Sequence, residues 1–293
     1  MTEELIVTSP LADRIGGLAI KSLNQEVSTW PKPGLVSPKD SGSHADMDAS
    51  TFYASAKALQ PFFVALANAG FAGARINDLR SIGQAAELAM LKATHGVNTH
   101  RGAIFGLGLL CAAAGAMASA RHPLAPGCLG AWVRSHWGRS ILSGPLPIQS
   151  HGTFALRRYG AGGARVEAAI GFPHVYEVGL PALKMGNFFS GGDENAARGQ
   201  ACFALMAKLE DTNLLYRNGE AGCRFVQNAA RSFLAKGGVG QKRWEIEAER
   251  IHRSFVTRWL SPGGSADLLA ATLLVHFIEA SSITSAECRN CWL

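Results

Sequence analysis

Several common signatures are missing from this sequence of 293 residues. It contains no G-x-x-x-x-G-K-[ST] motif and no kinase-like glycine-rich loop, which disfavours phosphoryl transfer on a P-loop or a kinase fold. Runs of alternating polar and apolar residues are also absent, which disfavours a sheet protein. The first residues lack the basic, then apolar, then small-residue order of a secretory signal, so we expect a cytoplasmic protein.

Charged residues are scarce, at 17% against 47% hydrophobic residues, which excludes a disordered chain. The 28 Lys and Arg residues outnumber the 22 Asp and Glu residues, and the net charge of +6 favours an anionic partner. Trp244 and Trp259 fall on one helical stripe and are expected to pack rather than stack on bases. Because nucleic-acid binding would rest on net charge alone, we expect no nucleic-acid partner.

The six cysteines are scattered along the chain, as in a protein from a reducing compartment. Cys288 and Cys291 form a C-x-x-C pair, but no second pair exists to complete a zinc site, and we assign the pair no function. We expect residues 281–293 to be a flexible tail.

One uncharged stretch, AIFGLGLLCAAAGAMASA at residues 103–120, is nearly long enough to cross a membrane. It consists mostly of Ala, Gly and Ser, and the polar residues His95, Asn98, His100 and Arg101 lie just before it. We therefore predict a buried helix in a protein with no membrane partner.

Apolar residues recur at helical spacing along most of the chain. The pattern is clear in residues 11–26, 52–66, 76–94 and 103–120, and in four segments between 193 and 280. Prolines and glycines break the middle third into short helices and loops. These features predict a single compact all-α catalytic domain over residues 1–293, with about eight to eleven helices and Gly/Pro-rich connecting loops.

Polar residues collect in five short links between the apolar helices, where burial is costly unless the polar groups have partners. The links are GSHADMD (42–48), THGVNTHRG (94–102), GARVEAAIGF (163–172), EDTNLLYRNG (210–219) and SPGGSADLLA (261–270). These five clusters are the predicted site.

Two of the clusters carry acidic groups suited to a divalent cation or to acid/base chemistry. His44 and Asp46 lie together in the first, where Asp48 either joins them or caps the following helix. Glu210 and Asp211 end a helix, where negative charge is unfavourable unless a cation is nearby.

Two other clusters precede helices and offer free backbone N–H groups to an anion. Either cluster alone is weak evidence for anion binding, because a Gly-Gly pair before a helix is usually a tight turn and a lone Arg is usually a solvated surface residue. The residues that would bind phosphate or nucleotide are Asn98, Thr99, Arg101, Arg165, Asn213, Arg217, Gly263, Gly264 and Ser265.

In this order, PKPGLV and the five clusters resemble the triphosphoribosyl-dephospho-CoA synthase family, which serves citrate lyase and malonate decarboxylase. The likeness covers residues 11–280, and NTHRGAIF, DTNLLYR and SPGGSADLLA are its specific pieces. The sequence departs from the family at Ser37, where members often have Asp, and at Arg101, where they often have Lys.

The resemblance implies an all-helical transferase that converts ATP and 3′-dephospho-CoA into 2′-(5″-triphosphoribosyl)-3′-dephospho-CoA and adenine. We expect Asp46, Glu210 and Asp211 to hold Mg²⁺ on the triphosphate. His44 or His100 would be the general acid or base, with Asp46 beside them. Arg101, Arg217 and residues 263–265 would hold phosphates, and Asn98 and Asn213 would bind ribose or adenine.

Two other functions remain open from the sequence. One is another ATP-using enzyme, a kinase or a nucleosidyl hydrolase, and the other is a non-enzymatic helical binding protein. The downstream partners implied by the resemblance are a phosphoribosyl transferase and an acyl carrier subunit, of malonate decarboxylase or of citrate lyase. The sequence does not indicate an oligomeric state.

Overall fold

A computed structural model describes residues 9–146 and 150–280. These residues form twelve α-helices and contain no strand, which confirms the all-α prediction. The helices are α1 (Pro10–Ser28), α2 (Ala49–Phe71), α3 (Ile76–Ala93), α4 (Arg101–Ser119), α5 (Cys128–Ser143), α6 (His151–Tyr159), α7 (Gly163–Ala169), α8 (Leu180–Phe189), α9 (Glu194–Lys208), α10 (Thr212–Ala235), α11 (Trp244–Thr257) and α12 (Gly263–Ala280). The predicted tail, with Cys288 and Cys291, lies outside the described residues.

Short polar side chains set where several helices begin. Ser9 accepts the Ala12 N–H at the start of α1, and Asp48 accepts the Thr51 N–H at the start of α2. The Thr51 hydroxyl also faces the Asp48 backbone N–H, so Asp48 forms a capping box. Of the two alternatives for Asp48, the structure shows the cap.

The middle of the chain holds more helix than the sequence patterns indicate. Besides α5 to α8, residues His174–Gly179 form one stretch of π-helix. The nine residues of α6 and the seven of α7 are too short to show a periodic stripe, so the helix count exceeds the expected range. Helix α10 bends at Gly219, whose φ of 63° and ψ of −170° favour glycine.

Helix α4 is the centre of the fold and packs against α1, α2, α3, α5, α7 and α12. It is the one helix among the described residues that is long and apolar enough to cross a membrane, but 72% of that apolar window is buried inside the protein. The structure therefore shows a core helix at the stretch where the sequence predicts a buried one.

The backbones of α2 and α4 touch at two glycines. A Cβ atom on Gly115 would lie 2.0 Å from the Ala67 carbonyl oxygen, and one on Gly70 would lie 1.9 Å from that of Ala112. Only glycine permits this approach. The contact fixes the position of α4, and with it the polar residues at its N-terminus.

Replacement of Gly115 by Ala is expected to lower the free energy of unfolding by about 1–3 kcal/mol, because the methyl group must push two backbones apart. Gly17→Ala is the matched control, since a Cβ there meets nothing within 4 Å. Chemical denaturation followed by circular dichroism measures both. Equal stability of the Gly115→Ala variant and the natural protein would contradict the close-packing account.

Candidate active site

One large cavity, of about 1710 Å³, opens where the N-terminal ends of α4 and α12 meet α1, α2 and α10. All five polar clusters contribute to its wall, so the structure brings together segments far apart in sequence. The predicted residues that line it are His44, Asp46, Asn98, Thr99, His100, Arg101, Arg165, Glu210, Asn213, Arg217, Gly263 and Gly264. Asp211 and Ser265 lie behind the wall.

His100 is the most deeply placed of the predicted catalytic residues, with 3% of its surface exposed. Its Nδ1 is 2.7 Å from the Ser55 hydroxyl, which in turn accepts a hydrogen bond from Thr99 Oγ1 at 2.8 Å. The Nε2 atom is buried and bonds to no described group. Loss of solvent and the positive charge of Lys32 lower the pKa of His100 to about 3, so its ring is neutral at physiological pH.

Lys32 lies at the same end of the cavity and is 1% exposed. Its ammonium group pairs with the Glu26 carboxylate and donates to the Glu26 carbonyl oxygen at 2.8 Å. Burial raises the pKa of Glu26 and the Lys32 charge lowers it, with burial the stronger cause. A buried lysine requires such partners, because an unpaired buried charge is costly.

The loop that carries Lys32 is fixed from two sides. Asn195 accepts the Trp30 N–H at 3.0 Å, and His252 accepts the Gly34 N–H at 3.3 Å through Nδ1. Gly34 has a φ of 72°, and a Cβ there would lie 2.1 Å from the Leu260 carbonyl oxygen. These hydrogen bonds and the close packing at Gly34 therefore fix the position of the loop.

His44 is held at the opposite wall by neighbours on both ring nitrogens. Its Nε2 is 2.8 Å from the Ser261 hydroxyl, and its Nδ1 is 3.6 Å from an Asp46 carboxylate oxygen. Burial and the positive charge of Arg217 lower its pKa, while Asp46 raises it. With both nitrogens engaged, His44 is less free than His100 to exchange a proton with a substrate.

Asp211 and Ser265 bind each other. The Asp211 carboxylate caps α10 through the Asn213 N–H at 3.0 Å and accepts the Ser265 N–H at 2.9 Å. The anion at the start of α12 is therefore a carboxylate of the protein itself. Gly263 and Gly264 are the residues of that turn that face the cavity. Roles for Asp211 in metal binding and for Ser265 in phosphate binding stay predictions.

The three predicted arginines differ in how free their guanidinium groups are. Arg101 pairs with Glu87 at the rim, and Arg217 donates a long bond of 3.5 Å to the Ser43 carbonyl oxygen. Arg165 donates to the carbonyl oxygens of Leu142, in the last turn of α5, and of Gly144 and Pro145 just after it. It thus holds the end of that helix, which the sequence does not predict, whereas Arg217 keeps most of its donors for a ligand.

Asp46 and Glu210 are exposed carboxylates on the wall of the cavity. Among residues 9–146 and 150–280, no three His, Cys, Asp or Glu side chains converge as they would around a fully protein-bound metal. Mg²⁺ needs only one or two carboxylates when phosphate oxygens and water supply its other ligands. The donor set therefore fits Mg²⁺ carried in with a triphosphate.

Comparison with known proteins places the chain in a family. The profile of the CitG family, described as ATP:dephospho-CoA triphosphoribosyl transferase, matches residues 12–285. The chain belongs to this family. The resemblance found in the five clusters is thereby confirmed.

Curated relatives in this transferase family match along almost their whole length. A probable 2-(5″-triphosphoribosyl)-3′-dephosphocoenzyme-A synthase of Pseudomonas fluorescens strain Pf0-1 is 41% identical over 281 residues, which are 94% of this chain and 95% of the relative. Probable synthases of the same name from Azotobacter vinelandii and Acinetobacter calcoaceticus are 40% and 38% identical and cover 92% of each chain. No solved structure matches.

The structure places on the cavity wall further polar residues that the sequence patterns do not single out. Lys32 and Asp267 both line the cavity. Lys32 lies in PKPGLV and Asp267 in SPGGSADLLA, two of the segments that carry the resemblance. Glu167, in GARVEAAIGF, also lines it and accepts the His174 backbone N–H at 2.8 Å. The position of Asp267 within SPGGSADLLA, one of the specific pieces, was a signal that could have found it, whereas PKPGLV is not one of those pieces and gave no such signal for Lys32.

His100 and His174 are expected to respond to pH in opposite ways. The Glu167 carboxylate, 2.8 Å from His174 Nδ1, raises the pKa of His174, whereas that of His100 falls to about 3. Ring ¹⁵N shifts in NMR should stay constant for His100 between pH 8 and 5, while His174 titrates above its ordinary value of 6.5.

The stability contributions carry the corresponding signs. Because the unfolded chain protonates His100 near pH 6.5 and the folded chain does not, this residue lowers stability as the pH falls from about 6.5 toward 3. The His174 contribution is present below about pH 6.5 and is lost as the pH rises through its raised pKa. Titration of His100 near pH 6.5 would contradict the buried, neutral assignment.

Proposed function

We propose that this protein catalyses the reaction of ATP with 3′-dephospho-CoA to give 2′-(5″-triphosphoribosyl)-3′-dephospho-CoA and adenine. The observation that carries the proposal is the convergence of all five polar clusters on one cavity, with the free His100 Nε2 at its inner end, in a chain of this transferase family. ATP serves as a ribosyl donor, so the triphosphate enters the product intact.

The size of the cavity supports the use of two substrates. Sites for one small molecule usually measure roughly 300–1,000 Å³, and this cavity measures about 1710 Å³. Two adenosine phosphates held side by side have their reacting atoms close together, which removes most of the entropic cost of their encounter.

The triphosphate is assigned to the basic side of the cavity. Arg217 and Arg101 supply planar guanidinium donors, and the backbone at Gly263 and Gly264 allows a phosphate to approach closely. Asp46 and Glu210 would hold Mg²⁺, which when bound neutralises part of the phosphate charge. His44 positions Asp46, while Asn98 and Asn213 are left for ribose or adenine contacts.

His100 is assigned as the base for the acceptor hydroxyl. The role requires the tautomer in which Nδ1–H donates to the Ser55 hydroxyl, 2.7 Å away, because Nε2 then presents a lone pair to the cavity. The 2′-hydroxyl of dephospho-CoA loses its proton to Nε2 as its oxygen bonds to C1′ of the ATP ribose. A neutral acceptor is sufficient, because the hydroxyl becomes acidic once bonding to a ribose of oxocarbenium character has begun.

We further propose a cytoplasmic enzyme whose product is the prosthetic-group precursor of an acyl carrier subunit, attached by a phosphoribosyl transferase. Either malonate decarboxylase or citrate lyase would use this product, since the prosthetic-group precursor is the same. A kinase or a nucleosidyl hydrolase is the competing enzyme, and a non-enzymatic binding protein the competing non-enzyme. Each predicts a different fate for ATP.

The direct test incubates the protein with ATP, Mg²⁺ and 3′-dephospho-CoA, and follows free adenine by chromatography and the CoA product by mass spectrometry. We expect adenine to appear only with dephospho-CoA, together with an equal amount of the triphosphoribosyl adduct. His100→Ala should reduce both by about 10²–10⁴-fold with little change in the thermal midpoint.

His136→Ala is the matched control, because His136 is exposed on α5 and does not line the cavity. It should retain full activity. Formation of ADP would instead show phosphoryl transfer, and adenine without dephospho-CoA would show hydrolysis. Either result, or full activity of His100→Ala, would contradict the corresponding part of the proposal.

A further inference from the structure

The Asp267 carboxyl lies against the start of α4. Asp267 is in the first turns of α12, and a Cβ atom on Gly102 would lie 2.0 Å from its Oδ2 and 2.9 Å from its Cγ. Gly102 follows His100 by two residues, and both line the cavity together with Asp267. The glycine thus leaves the space in which this carboxyl sits, close to the histidine that faces the substrates.

The charges around Asp267 are unbalanced. Glu26 and Asp211 both act on it with negative charge, while Lys32, the buried cation nearby, is bonded to Glu26. Asp267 forms no ion pair with any described residue. Removal from solvent, followed by the charges of Asp211 and Glu26, raises its pKa well above the ordinary value, and a hydrogen bond from the Ala103 backbone N–H opposes that rise, so the surroundings on balance favour the protonated carboxyl.

We propose that Asp267 is the general acid that gives its proton to N7 of the departing adenine, an assignment that rests on the proposed function. The C1′–N9 bond breaks and its electron pair passes into the purine ring as the Asp267 proton moves to N7. Neutral adenine leaves, Asp267 becomes a carboxylate, and the acceptor proton taken by His100 restores the balance through solvent.

Asp267 and His100 would each carry out one of the two proton transfers, Asp267 as the donor and His100 as the acceptor. His100 is a neutral ring with a free acceptor atom, and Asp267 is an acid held near other carboxyls. Environments that hold one titratable group ready to accept and another ready to donate are the usual mark of an acid/base pair.

The test compares ATP with 7-deaza-ATP, in which a C–H replaces N7 and cannot take the proton. The natural enzyme should bind 7-deaza-ATP as a competitive inhibitor with affinity similar to ATP, but turn it over at least about 100-fold more slowly. Asp267→Asn should slow the ATP reaction by about 10²–10⁴-fold and bring the two nucleotides within about 10-fold of each other.

A second variant reaches the same group without altering it. Gly102→Ala places a methyl group where the carboxyl lies, and should reduce the preference for ATP over 7-deaza-ATP in the same way. Gly106→Ala, one turn further along α4, is the matched control, because the nearest atom to its Cβ is a Phe172 carbon at 3.8 Å. That variant should keep the preference of the natural enzyme.

The outcomes separate the two proposals. An unchanged preference for ATP over 7-deaza-ATP in Asp267→Asn and Gly102→Ala would overturn the role of Asp267 and leave the transferase reaction intact. Equal turnover of both nucleotides by the natural enzyme would have the same meaning. Failure of the natural enzyme to release adenine from ATP in the presence of dephospho-CoA would overturn the proposed function, and the acid assignment with it.

Discussion

The ion pair of Lys32 with Glu26 is the interaction on which the inner end of the cavity depends. It joins the last turns of α1 to the loop that follows, and both side chains are nearly inaccessible to solvent. Burial of two charges costs several kcal/mol unless the geometry compensates. The compensation comes from the Glu26 carbonyl oxygen and from a loop held by Asn195 and His252.

This pair also contributes to the pKa shifts of its neighbours. The charge of Lys32 helps to keep His100 neutral, and the charge of Glu26 helps to raise the pKa of Asp267. A histidine suited to accept a proton and a carboxyl suited to donate one therefore follow first from burial, to which Lys32 and Glu26 add their charges. The close contact of α2 with α4 holds these groups in register with the rest of the fold.

Much of this architecture could be predicted from the sequence, because long helices show a clear repeat of apolar residues at helical spacing. The short helices α6 and α7 could not, since seven to nine residues do not make a recognisable stripe. The motifs also located the site, and the structure shows all five clusters on one cavity wall. The sequence patterns could not distinguish the polar groups that face a ligand from those that bind each other.

Asp211 and Lys32 show why the contacts of polar groups could not be predicted from the sequence. A carboxylate and a helix start that lie 54 residues apart look like two ligand sites until the fold brings them together, as it does for Asp211 and Ser265. Conversely, a lone lysine in a Pro/Gly-rich loop is usually exposed, and nothing in its neighbours indicates that Lys32 is buried. Both outcomes depend on tertiary packing, which local sequence does not encode.

The central claim is that donor ribose, acceptor hydroxyl and the His100–Asp267 end of the cavity meet at one point. A crystal structure with 3′-dephospho-CoA and a C-nucleoside analogue of ATP, whose glycosidic bond is carbon–carbon and cannot break, tests it directly. We expect the analogue's C1′ between His100 Nε2 and the Asp267 carboxyl, with the acceptor 2′-hydroxyl within hydrogen-bond distance of Nε2. Nucleotide bound elsewhere, or a base and ribose turned away from both residues, would contradict the account.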